Sequence, residues 1–182
     1  TLLHKFLEAV DDDFLFVNGD DILVREYLES QSIEKLKDFV GNHSMLVVDE
    51  AQYVHQIGLN LKIMVDHIPS LQVIATGFSS FDLAKDIGEP LTGRKTVLQL
   101  LPLAQLEIAQ LEKLHQTKAH LDSRLIYGAY PEVVIRQSNH EREQYLRELI
   151  SSYLFKDILQ LEGIRHSDKL HRLVQLLAFQ IG

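Results

Sequence analysis

The chain contains no cysteine, which excludes disulfides and thiolate metal sites and accords with a reducing compartment. No apolar run approaches the roughly 18–20 residues that a membrane-spanning helix needs, so no membrane partner is expected. Thr1-Leu2-Leu3-His4-Lys5 carries no signal-peptide pattern, and the expected location is cytoplasmic. Positive charge is scarce at the front: residues 1–50 hold 4 Lys/Arg against 12 Asp/Glu, whereas residues 51–182 hold 14 of each. The whole net charge of −8 therefore comes from the first fifty residues. A broadly basic nucleic-acid surface is not written into this composition.

What is present is ordinary globular material. At 182 residues and 46% hydrophobic, the chain can bury one core with an appendage, or two small cores. The most informative stretch is Ser44-Met45-Leu46-Val47-Val48-Asp49-Glu50-Ala51-Gln52. Four consecutive apolar residues predict a strand buried on both faces, and two adjacent carboxylates end it. In a parallel sheet the carboxyl ends of the strands form the ligand crevice. Asp49 and Glu50 then suit a Walker B pair, in which the first acid holds Mg²⁺ and the second polarises the attacking water. A strand that simply enters a capped helix produces the same letters.

Around that stretch the spacing predicts a helix from Leu2 to Val10, a short strand over Phe14-Leu15-Phe16-Val17, and a turn at Asn18-Gly19-Asp20-Asp21. Helices follow over Ile22–Leu28 and Ile33–Val40, the second with Ser32 as N-cap and Gly41 as its stop. After the acidic strand come a helix closed by Pro69, a strand over residues 71–77, and a third core strand over residues 96–101. Strand, helix, strand, helix, strand is the pattern of a parallel sheet with right-handed crossovers. From Pro102 onward only helical patterns remain. They include one over residues 103–114, a long one capped by Asn139 and a last one capped by Ser167.

Two further features share the nucleotide chemistry. Thr76-Gly77-Phe78-Ser79-Ser80 places hydroxyls at the end of the strand after the acids, where Thr76 or Ser79 would sense a γ-phosphate. Leu91-Thr92-Gly93-Arg94 puts an arginine on a loop, suited to reach a neighbouring subunit's phosphoryl group as an arginine finger. Each also has a plain structural use, as a strand-end or helix-cap hydroxyl or as a surface cation.

In this order of motifs the sequence resembles the AAA-like P-loop ATPases of bacteria and archaea, in which the ATPase domain is followed by a domain of unknown function. The resemblance rests on Val47-Val48-Asp49-Glu50-Ala51-Gln52, Ile74-Ala75-Thr76-Gly77 with Ser79-Ser80, Leu91-Thr92-Gly93-Arg94 and Leu101-Pro102-Leu103. Gly128-Ala129-Tyr130-Pro131-Glu132, Lys156-Asp157-Ile158 and Leu176-Leu177-Ala178 extend it over nearly the whole chain. It implies an α/β fold, a partial three-layer P-loop sheet followed by an all-helical region. The implied division is an ATPase core over 1–103, a helical lid over 104–137, and helices leading to a further domain over 138–182.

The departure from the family is the phosphate loop. No G-x-x-x-x-G-K-[ST] pattern occurs in these residues, although that turn cradles the phosphates in the family. Thr1-Leu2-Leu3 resembles the helix start that follows the loop, so Thr1 stands at the Mg²⁺-binding hydroxyl or just after it. The expectation is a fragment lacking the loop and its strand, inactive by itself. The resemblance implies that the intact protein binds ATP and Mg²⁺ and hydrolyses ATP, with Glu50 and Arg94 catalytic and Asp49, Thr76, Ser79 and Thr1 at the nucleotide. It also implies homo-oligomer contacts through Arg94 and a DNA or protein partner for the further domain. The alternative is a non-hydrolysing, nucleotide-switched interaction or DNA-associated regulatory module.

Overall fold

The computed structural model describes residues 2–10, 12–77, 91, 93–151 and 167–180. Expectations for Thr1, for Ser79 and Ser80, for Thr92 and for Lys156-Asp157-Ile158 fall outside those residues. Two compact units divide the chain, residues 1–96 and residues 97–182.

The first unit is built on a parallel sheet in the order β1-β2-β3, with β1 Phe14–Asn18, β2 Met45–Asp49 and β3 Gln72–Ala75. Phe14 lies opposite Met45 and Met45 opposite Gln72, so the carboxyl ends of β1 and β2 finish level at Asn18 and Asp49. β2 is central, and Met45 to Val48 are all buried. Their alternation serves both faces, as the twofold period of a strand requires. Met45 and Val47 pack with Leu7 of α1 (Leu2–Ala9). Leu46 and Val48 join Leu28, Leu36, Val40, Leu61 and Met64, supplied by α2 (Ile22–Leu28), α3 (Ile33–Val40) and α4 (Ile57–His67). Helices therefore cover both faces, and the apolar run of β2 is explained by burial on two sides.

The caps follow local chemistry. Asp21 accepts a hydrogen bond from the Leu23 N–H at the start of α2, 2.8 Å. Gly41 stops α3 at φ 59°, a left-handed value that glycine tolerates without steric cost. Asn60 is fully buried on α4, and its Oδ1 accepts from the Gln31 N–H at 2.8 Å while its Nδ2 donates to the Gln56 carbonyl at 3.2 Å. It ties together two residues with left-handed backbones, Gln31 and Gln56.

The predicted third core strand is not formed. Residues 95–100 have no regular structure, and Val97, Leu98, Leu100 and Leu101 are exposed. A strand is a property of pairing, and among the described residues this stretch has no strand hydrogen-bonded to it.

The second unit is helical: α5 Gln105–Ile108, α6 Leu114–Ala119, α7 Leu121–Tyr127, α8 Pro131–Ile135, α9 Asn139–Leu149 and α10 Ser167–Gln180. The single helix expected over 103–114 is only the short α5, after which the chain turns before α6. The cap of α9 is Ser138 and not Asn139. Its hydroxyl accepts from the Glu141 N–H at 3.2 Å, and the Glu141 carboxylate accepts from the Ser138 N–H at 3.0 Å. That reciprocal pair satisfies two otherwise orphaned donors. Ser167, expected as a cap, is itself helical in α10.

Candidate nucleotide site

The carboxyl ends of the three strands meet in one place. One residue beyond β3, the Thr76 N–H donates to the Val48 carbonyl at 2.9 Å, and the Ala51 N–H donates to the Thr76 carbonyl at 2.8 Å. This backbone lacing carries the ladder past the last paired residues and seats Thr76 beside Asp49. The Thr76 hydroxyl donates to Asp49 Oδ1. From the other side, the Gly19 N–H donates to the Asp49 carbonyl at 2.7 Å.

Glu50 is the first residue past β2, and its backbone is left-handed at φ 53°, ψ 41°. That turn swings the chain from the strand into a single 3₁₀ turn, Ala51–Tyr53. It also separates the two acids: Asp49 faces Thr76, while the Glu50 carboxylate accepts from Gln52 Nε2. Both acids are half-buried. The pair thus sits at the carboxyl end of the central strand.

Arg94 is elsewhere. Its guanidinium pairs with Asp66, in the last turn of α4. That helix starts after the acidic turn and runs back along the sheet to the beginning of β3, where the Leu71 N–H donates to the Ile68 carbonyl at 3.0 Å. Eleven helical residues carry the chain about 16 Å. Asp49, Glu50 and Thr76 are brought together, and Arg94 is not part of that group.

Two residues had no role in the sequence reading. Gly19 was only part of a turn, yet a Cβ there would stand 2.5 Å from the Glu50 carbonyl oxygen. Gln52 was only a letter of the motif, yet it is the side chain that holds the Glu50 carboxylate. The Asp-Glu-x-Gln spacing was a usable signal for Gln52. No local pattern reveals Gly19, because its constraint comes from a neighbouring strand end.

The donors fit a hard cation carried in with a phosphate. Asp49 offers carboxylate oxygen, of which Oδ2 receives no hydrogen bond among the described residues. Those residues hold no cluster of three or more metal-ligating side chains. Magnesium is commonly bound through one or two carboxylates with the remaining positions filled by phosphate and water.

A model of the AAA domain matches residues 1–109. The chain belongs to the AAA family. A second model, a domain of unknown function (DUF8612), matches residues 118–182. The AAA chain is also 22% identical over 183 aligned positions to the uncharacterized protein MJ1544 of Methanocaldococcus jannaschii, covering 91% of this chain and 40% of the relative. It thus spans well under half the length of that relative. No solved structure matches it significantly. Membership of the AAA family assigns the first unit to the nucleotide-binding, ATPase-type domains, and its parallel sheet is compatible with that assignment. Among the described residues no helix is long and apolar enough to cross a membrane.

A separate polar cluster lies in the second unit. Glu112 accepts from Arg124 and lies 3.1 Å from His120 Nδ1, while Arg124 also donates to Gln105 at 3.2 Å. The Arg124 hydrogen bond holds the Glu112 carboxyl below its ordinary pKa, with a smaller contribution from His120. Arg142 adds bonds to Ser123 and Asn139 and to the Arg136 carbonyl, each 2.9 Å. These contacts tie α5, α7 and α9 together and use their charges on one another.

Proposed function

We propose that this chain carries the water-activating part of a magnesium-dependent ATPase. The observation that supports it is the Thr76–Asp49 hydrogen bond at the carboxyl ends of β2 and β3, with Glu50 on the adjoining turn. In this reading Asp49, with Thr1, holds the magnesium ion of the bound ATP. When bound, that ion neutralises charge on the β- and γ-phosphates. Glu50 accepts a proton from the attacking water as its oxygen bonds to the γ-phosphorus. The bond from that phosphorus to the β–γ bridging oxygen breaks, and ADP leaves with the electron pair. Thr76 or Ser79 donates a hydrogen bond toward the γ-phosphate.

Arg94 acts on the site of another copy in this proposal. Its pairing with Asp66 at the far end of α4 fits a cation kept out of its own crevice. The helices after residue 104, as a lid over 104–137 and connecting elements from 138, transmit the nucleotide state to a further protein or DNA-binding part.

The G-x-x-x-x-G-K-[ST] pattern does not occur in these residues, and in this proposal the full-length protein carries such a loop on a strand beside β3. In the described residues β3 is hydrogen-bonded on one side, by β2. Positioning of the phosphates accounts for much of the catalysis in such sites.

The test uses the full-length protein. Glu50→Gln keeps the shape and removes the base, and general-base catalysis is worth about 10²–10⁴-fold. ATP should bind with wild-type affinity while turnover falls by that factor. Undiminished hydrolysis in Glu50→Gln would remove Glu50 from the mechanism.

A further inference from the structure

The carboxylate of Glu50 needs a fixed direction, and the backbone does not supply it. Glu50 sits in the left-handed region, a costly conformation for a residue with a Cβ. Main-chain contacts keep it there. The Tyr53 N–H donates to the Glu50 carbonyl at 3.1 Å, and Gly19 lies against that carbonyl. These fix the peptide and leave three side-chain torsions free. The group that reaches the carboxylate is Gln52, two residues on, whose Nε2 donates to Glu50 Oε2.

The other end of the same amide is not satisfied. Gln52 Oε1 is buried and has no hydrogen-bond partner among the described residues. A buried amide oxygen without a donor is destabilising, so fold stability alone is a poor reason to place a glutamine there. Its useful contact is the one with Glu50. Local choices that cost stability concentrate at functional sites.

We propose that Gln52 is a positioning residue: its amide sets the direction of the Glu50 carboxylate toward the water that is to be activated. This rests on the ATPase reading above. In this role Gln52 acts through Glu50.

Two variants of the full-length protein test it by steady-state ATPase kinetics. Gln52→Ala frees the carboxylate, and kcat should fall about tenfold or more, within the range expected for a misplaced general base, with KM for ATP within about twofold. Gln52→Met fills the same space without the amide, and serves where Gln52→Ala does not fold. A packing role would shift thermal stability and leave kcat of the folded variants unchanged.

Unchanged kcat in Gln52→Ala and Gln52→Met overturns the assignment and leaves the ATPase reading standing. A wild-type protein that turns over no ATP overturns the ATPase reading itself.

Discussion

Gly19 and Glu50 show how a single side chain is placed by its neighbours. Glu50 leaves β2 through a left-handed backbone, and the end of β1 presses against it with 2.5 Å between a hypothetical Gly19 Cβ and the Glu50 oxygen. No flexible group can yield there, because the obstruction is main chain. Gly19→Ala should therefore cost about 1–3 kcal/mol, the usual range for an overpacked site. Urea denaturation of the variant reads this directly, and an unchanged midpoint would show that the strand ends do not meet as described. The same residues show what a sequence conceals. Asn18-Gly19 reads as a turn because its letters favour one, whereas its real constraint is the closeness of a chain segment thirty residues away. Asp49 and Glu50 were legible for the opposite reason. Ending a buried strand with two carboxylates is chemically conspicuous without knowledge of the fold.

The elements of the first unit were legible because each has a local cause. The four apolar residues of β2 demanded burial on both faces, and the structure supplies α1 on one face and α2, α3 and α4 on the other. Residues 96–101 carry a similar apolar run and form no strand, since a strand also needs a partner to hydrogen-bond. In the second unit the helices were legible by period. The ion cluster that joins them was not, because Gln105, Glu112 and Arg124 come from separate elements.

That cluster has a pH signature. Glu112 is held below its ordinary pKa chiefly by the Arg124 hydrogen bond. A carboxylate depressed in the folded state contributes stability above its unfolded pKa, near 4.3 for a glutamate. The contribution disappears as pH falls through the lower folded value. Glu112→Gln should accordingly be less resistant to urea than wild type at pH 7, and the gap should close toward pH 3. A gap of the same size at both pH values would mean that the ionised carboxylate is not what Arg124 stabilises.

Over the whole molecule, charge and fold pull in different directions. The first fifty residues carry 12 acidic against 4 basic side chains, and they include both members of the acidic pair. A triphosphate is repelled by such a surface unless positive charge comes with it. Under the proposed mechanism magnesium, acting through Asp49, should therefore matter more to binding here than it would beside a basic crevice. Equilibrium binding of ATP to the full-length protein, with and without magnesium, tests this most directly. Wild type should gain affinity when magnesium is added, whereas Asp49→Asn, with one acid fewer, should bind magnesium-free ATP at least as well as wild type and lose the gain. If Asp49→Asn responds to magnesium as wild type does, or wild type does not respond, the carboxyl ends of β2 and β3 are not a magnesium-nucleotide site.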